Sequence, residues 1–161
     1  DSIQSLLKLH YPVDFKRWRA FLEKDYKQAN YLLYLSEKAF FIDKNAWLNY
    51  LDSFIDILVR KFIGLLTIRK VHKKLPKLVN QKGNVDLGAL LHDGNFTGHY
   101  KAISDGFVKI HKRRSKTPAS HAFDKKTFLK TERVSSKEQK QLASTFTFSL
   151  RKLIIEINKY L

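Results

Sequence analysis

Two side chains suited to chemistry on a phosphate group lie in a strongly basic stretch of the chain, residues 109–130. Arg114 supplies a permanent positive charge, and six residues separate it from His121, whose imidazole gains or loses a proton near neutral pH. On a continuous helix this spacing would place both side chains about two turns apart on one face. A guanidinium beside an imidazole is suited to chemistry on a phosphodiester.

A helix break is predicted between these two residues, because Thr117 precedes Pro118. The proline disfavours helical geometry at Thr117 and has no N–H of its own to donate. Thr117 is therefore predicted to cap a new helical turn in which Pro118 takes the first position. The N–H groups of such a turn attract phosphate, which adds a third favourable feature to the stretch.

An Arg followed after six residues by a His, near the end of a helical chain, resembles the HEPN domains. The resemblance covers about residues 14–161 and implies a metal-independent endoribonuclease that acts as a homodimer, in a toxin or in antiviral defence. It also implies that Arg114 and His121 are the catalytic pair, with no cofactor and no metal. Ser115 follows the Arg, where active members often have Asn, Asp or His, and this departure keeps a non-catalytic alternative open.

The expected reaction is attack of the RNA 2′-OH on the neighbouring phosphorus, giving a 2′,3′-cyclic phosphate and a 5′-OH. His121 would act as general base or acid, and Arg114 would stabilise charge on the phosphate oxygens. His111, three residues before Arg114 on the same helical face, is a candidate supporting residue. Further cations are predicted to contact RNA phosphates: Lys112, Arg113, Lys116, Lys125 and Lys126.

The charge of the chain favours an anionic partner. Its 161 residues carry 31 Lys and Arg against 15 Asp and Glu, a net charge of +16. Nucleic acid is the first expectation, an anionic membrane surface the second and an acidic protein the third. The charge is uneven, since residues 60–82 hold eight cations and no acid.

Cysteine is absent, which excludes a disulfide framework, a thiolate zinc site and a cysteine nucleophile. No apolar run is long enough for a membrane span, and the chain does not open with a signal peptide. We therefore expect a cytoplasmic protein with no membrane partner. The chain starts at Asp1 and has no Met, so residues 1–161 are predicted to be a single domain excised from a longer protein.

The first two helices follow from apolar spacing and from their caps. Asp14 is predicted to cap a first helix that reaches Phe40, and Asp43 is predicted to cap the second. Nothing interrupts the second helix except Gly64, which a helix tolerates at a cost of about 1 kcal/mol. Its end is predicted from three residues: Lys73, Lys74 and Pro76.

The second half combines an irregular segment with two more helices. Residues 75–99 are rich in Gly, and within them a short helix is predicted near Asp86 and a loop at residues 92–100. A third main helix is predicted from Tyr100 to Ser115, and Ser135 with Glu138 forms a capping box before the last one. The sequence thus predicts an all-α, HEPN-like up-and-down bundle of four to five helices with one irregular crossing segment.

Other motifs give weaker signals. His92, Asp93 and His99 fit no standard metal-ligand spacing. Aromatic residues of the first two helices are predicted to lie in the core or in a dimer interface; they include Tyr31, Tyr34, Phe41 and Tyr50. Two alternatives to a ribonuclease stay open. One is a non-catalytic RNA- or DNA-binding domain of a larger protein, and the other is a helical module that binds an acidic partner such as an antitoxin.

Overall fold

The fold was analysed in a computed structural model, which describes residues 20, 27–72, 87–116 and 133–161. Regular structure within these ranges is entirely α-helical, with no strand, so the predicted all-α class is confirmed there. The helices are α1 Lys27–Ala39, α2 Lys44–Ile68, α3 Leu87–His92, α4 Gly94–His99, α5 Lys101–Arg114 and α6 Ser136–Asn158. None of the helices in the described ranges is long and apolar enough to cross a membrane.

A single apolar core joins the long helices into a bundle. Helix α2 packs against α1 and α5, and α5 packs along α6. Phe146 of α6 lies between Phe54 of α2 and Phe107 of α5, with ring centroids 6.0 and 5.9 Å away. All three rings are fully buried, and burial of such a side chain contributes about 1.5–3 kcal/mol. The core therefore fixes α5 against both α2 and α6.

Helix α2 begins where its cap predicts and ends earlier than predicted. The Asp43 carboxylate accepts the N–H groups of Asn45 and Ala46 at 3.0 and 3.1 Å. At the other end, Lys70 adopts a left-handed conformation with φ 53°, and the N–H of Val71 donates to the Leu66 carbonyl at 3.1 Å. This pattern closes a helix by satisfying its last carbonyls. The predicted stop at residues 73–76 is therefore a few residues too late.

The predicted loop at residues 92–100 is wrong, because helix α4 occupies most of it. The Asp93 carboxylate accepts the N–H groups of Asn95 and Phe96, both at 3.0 Å. Phe96 is fully buried in the core. A cap and one anchored aromatic side chain thus stabilise a short helix in spite of its two glycines.

Helices α5 and α6 approach each other closely at Gly106. A Cβ atom there would lie 2.8 Å from the Thr145 carbonyl oxygen and would collide with Ser149. The Ser149 hydroxyl donates to the Ala102 carbonyl at 2.8 Å, which adds a polar contact between the two helices. This contact holds α5 in place along its length.

The last helix starts at the predicted capping box. The Ser135 hydroxyl accepts the N–H of Glu138 at 3.1 Å, which is one of the two bonds of a capping box, while the Glu138 carboxylate pairs with Arg113. The Asp14 cap, the break at Thr117 and Pro118, and the start of the first helix lie outside the described residues.

Candidate functional site at the end of helix α5

Helix α5 presents its functional side chains in its last turn. Ile103, Phe107 and Ile110 are buried against the core, so the other faces of the helix carry the polar residues. The helix ends at Arg114, as predicted, and its last turn also contains His111. Positive charge is stabilised at this end of a helix, where unpaired carbonyl groups carry partial negative charge.

The Arg114 side chain is oriented by two residues of α2. Its Nε donates to the Asn49 side-chain oxygen at 3.0 Å and lies 3.8 Å from a carboxylate oxygen of Asp52. The Arg114 side chain is 40% exposed, so it reaches solvent while its Nε stays in contact with α2. A cation in a fixed direction at the surface is suited to binding a phosphate.

His111 is held by the same carboxylate. Its Nδ1 lies 2.9 Å from Oδ1 of Asp52, while Arg114 approaches Oδ2. The expected common face of His111 and Arg114 is confirmed by this shared partner. The Asp52 side chain is only 11% exposed, whereas the His111 side chain is 29% exposed. The imidazole and the guanidinium therefore lie side by side over one buried carboxylate.

A second carboxylate, Asp56, lies one turn further along α2. Burial raises the pKa of Asp56 above its usual value, and the nearby Asp52 charge acts in the same direction. Arg60 opposes both effects by pairing with Asp56 at 2.9 Å, and His111 opposes them more weakly. The contact between α2 and α5 thus contains ionisable groups that affect one another, as functional sites often do.

Asn49 and Asp52 were not among the predicted site residues, although the sequence contains a signal for them. Asn49, Asp52, Asp56 and Arg60 recur every three or four residues, which places them on one side of α2. A polar stripe beside the apolar stripe of a buried helix indicates a polar contact with a neighbouring helix. The spacing cannot identify that neighbour, because His111 lies 59 residues from Asp52 in the sequence.

Arg113 does not fit its predicted contact with RNA phosphate. Its side chain is 10% exposed and its Nε donates to Glu138 at 2.6 Å. Consecutive residues of a helix point in different directions, so Arg113 contacts α6 while Arg114 contacts α2. We therefore correct its role to the contact between α5 and α6.

The other predicted site residues fall into two groups. Lys112 and Lys116 are exposed near the end of α5, where an anionic strand can reach them. His121, Lys125 and Lys126 lie outside the described residues.

The histidines near helix α4 form a separate cluster. The His99 ring stacks on His72 with a centroid distance of 3.9 Å, and His72 Nε2 lies 2.7 Å from the Tyr100 hydroxyl. Asp93 caps helix α4 instead of joining the histidines. Among the described residues, no group of three or more His, Asp or Glu side chains could hold a metal ion.

Exposed aromatic side chains line the α1 side of the molecule. Tyr31, Tyr34 and Phe41 are all exposed, so the core alternative is wrong for these three. Tyr50 is partly buried and packs against the core. A dimer interface at the exposed rings stays a prediction.

Comparison with known proteins gives no relative. No protein-family model matches the chain, and neither a curated protein nor a solved structure matches it significantly. The functional interpretation therefore depends on the residues and their geometry.

Proposed function

We propose that the chain is a metal-independent endoribonuclease of the HEPN type, in which Arg114 and His121 act on one phosphodiester. The observation that carries this proposal is the Arg114 guanidinium, which is partly exposed and is oriented by Asn49 and Asp52 at the end of α5. The strongly basic residues 109–130 begin on this helix and supply attraction for a polyanion. The fold supports the proposal only at the level of an all-helical bundle.

In the proposed reaction, the ribose 2′-oxygen attacks phosphorus as His121 removes its proton. The bond from phosphorus to the 5′-oxygen breaks, and the products are a 2′,3′-cyclic phosphate and a 5′-OH. Arg114 stabilises the negative charge that builds up on the non-bridging oxygens. Exposed Lys112 and Lys116 bind neighbouring phosphates of the strand.

The proposed biological setting is cytoplasmic, in a toxin or an antiviral defence system. The proposed active form is a two-fold homodimer in which two Arg114 and His121 pairs face one cleft. Dimerisation is tested by light scattering coupled to gel filtration, which should give twice the chain mass of 18.9 kDa. A monomer at catalytic concentrations would contradict this part of the proposal.

The cleavage proposal is tested with single-stranded RNA in excess chelator. Wild-type protein should cleave the RNA, and His121→Ala should reduce the rate by about 10²-fold or more. His99→Ala is the matched control, because His99 is exposed and stacks on His72 beyond the C-terminal end of α2, whereas Asn49 and Asp52 lie near the start of that helix. The same strand with 2′-deoxy sugars should resist cleavage. Intact RNA after incubation with wild-type protein would reject the proposal.

A second candidate is RNA or DNA binding without cleavage. The net charge of +16 and the exposed lysines at the end of α5 favour it as well. It predicts affinity that falls steeply with salt while substrate length stays unchanged. Gel analysis of the bound RNA separates the two candidates in one experiment.

A further inference from the structure

The His111 and Asp52 pair has the geometry of an oriented proton-transfer group. A carboxylate that accepts the Nδ1 proton fixes the ring orientation and leaves Nε2 on the opposite edge of the ring. Here Nδ1 is 2.9 Å from Oδ1 of Asp52. When the ring carries a proton on both nitrogens, the carboxylate compensates its positive charge, as in other His–Asp pairs.

The surroundings of the ring distinguish this pair from a purely structural contact. Asp52 is buried, but the His111 side chain is 29% exposed, so the ring reaches the molecular surface. Arg114 approaches the other oxygen of the same carboxylate, so any phosphate bound by Arg114 lies close to the imidazole. Asp56 and Arg60 are the other charged groups on this side of α2.

A histidine is also a poor choice for neutralising a buried carboxylate by charge alone. An imidazole is only partly protonated at neutral pH, whereas Lys or Arg is fully charged. Arg114 already supplies a permanent positive charge near Asp52. The feature that His111 adds at this position is its ability to give up and regain a proton.

We propose that His111 is the general acid of the reaction, and that it protonates the 5′-oxygen as this atom leaves phosphorus. The proposal rests on the ribonuclease function above and assigns a residue outside the Arg114 and His121 pair. His121 removes the 2′-OH proton, the P–O5′ bond breaks, and the Nε2 proton of His111 passes to the 5′-oxygen. Solvent then restores both protonation states. Asp52 is a positioning residue in this scheme.

The test compares two substrates that differ in one atom. One is a DNA strand with a single ribonucleotide, and the other has sulfur in place of the 5′-leaving oxygen. A thiolate leaves without help from an acid, so removal of a general acid slows only the oxygen substrate. His111→Asn is the main variant, because its amide can still donate to Asp52 where Nδ1 did while no group replaces Nε2.

We expect His111→Asn to cleave the oxygen substrate about 10²-fold more slowly and the sulfur substrate within about threefold of wild type. Asp52→Asn should slow both substrates, because Asp52 also lies beside Arg114, and should slow the oxygen substrate more than the sulfur substrate. The matched control His99→Asn should equal wild type on both substrates. Thermal unfolding confirms that each variant is folded, and His111→Gln is measured in the same way if His111→Asn does not fold.

Each other outcome has a definite meaning. If wild type cleaves both substrates and the folded His111 variants slow both equally, or neither, the general-acid role is wrong and the ribonuclease proposal stands. If the loss appears only with the sulfur substrate, the role is also wrong. If wild type cleaves neither substrate, the ribonuclease proposal fails and the role of His111 fails with it.

Discussion

Asp52 is the residue that connects the two helices of the candidate site. Burying a carboxylate is costly unless it is paired, and here His111 and Arg114 both approach it. These two contacts offset the cost of burying the carboxylate, and they also hold the imidazole and the guanidinium in fixed directions. This arrangement explains why a single carboxylate on α2 determines the geometry at the end of α5.

Adjacent arginines on α5 are predicted to have separate roles. Arg113→Ala removes the ion pair with Glu138 and should lower the free energy of unfolding by about 1–2 kcal/mol, a value reduced because Glu138 is partly exposed. Arg114→Ala should instead slow RNA cleavage by about 10²-fold. Both variants lose one positive charge, so each is the control for the other. Denaturant unfolding and cleavage rates per folded molecule measure the two effects.

The result that would contradict this assignment is a similar loss of cleavage in both folded variants. That outcome would mean that the total charge of the helix end matters, and not the direction of the Arg114 side chain.

His72, which stacks on His99, is predicted to titrate below its ordinary range. Burial lowers the pKa of His72 from 6.5, and the charge of His99 acts in the same direction. The folded state therefore binds this proton less readily than the unfolded state. The stability contribution is present above pH 6.5 and is lost as pH falls through the lower folded pKa.

Nuclear magnetic resonance titration of the ring signals measures this directly. The His72 midpoint should lie below 6.5, and His99→Gln should move it upward because one repulsive charge is removed. A midpoint at or above 6.5 in the wild type would contradict the prediction.

The sequence was informative about which residue types form the candidate site. It was less informative about which side chains they contact. The common face of His111 and Arg114 follows from their spacing, which is a local property of a helix. Asn49 and Asp52 could be found only as a polar stripe, because their contacts with α5 depend on how distant helices pack. Arg113 was misassigned for the same reason, since its partner Glu138 lies on another helix.

The start of a helix was predictable where a side chain close in sequence caps it. Asp43 and Ser135 cap their helices as expected, since each accepts an N–H two or three residues away. The end of α2 was misplaced because a lysine, Lys70, takes the left-handed conformation that usually indicates Gly or Asn. Helix α4 was missed because its glycines masked the Asp93 cap.

Two glycines in the long helices should respond in opposite directions to the same change. Gly64 lies in α2 with open space where a Cβ would be, so Gly64→Ala should stabilise the protein by about 0.5–1 kcal/mol. Gly106→Ala should destabilise it by about 1–3 kcal/mol, because a Cβ would press against Thr145 and Ser149. Denaturant unfolding of both variants measures the contrast. Equal effects of the two substitutions would show that α5 and α6 leave room for a Cβ atom at Gly106.

The bundle as a whole presents far more positive than negative charge, with a net value of +16. The all-α class followed from apolar periodicity and caps, because these are repeated in every long helix. The packing partners of α5 did not follow, because periodicity identifies a buried face without identifying its neighbour.

For the molecule as a whole we predict that the affinity for RNA depends strongly on salt concentration. Binding of 2′-O-methyl RNA, which cannot be cleaved through a 2′-OH, should weaken steeply as salt increases. Lys112→Ala and Lys116→Ala should each reduce the slope of log K against log salt by about 0.7, while Arg113→Ala should not change it. Fluorescence anisotropy at several salt concentrations measures the slopes. Affinity that is independent of salt would contradict an RNA-binding role for this charge.

The most direct test of the central claim is end-group analysis of RNA incubated with the protein in chelator. The ribonuclease proposal predicts fragments with 2′,3′-cyclic phosphate and 5′-OH ends from wild type and from Arg113→Ala, and almost none from Arg114→Ala. Uncut RNA in the wild-type sample, or equal cutting by Arg114→Ala, would contradict it.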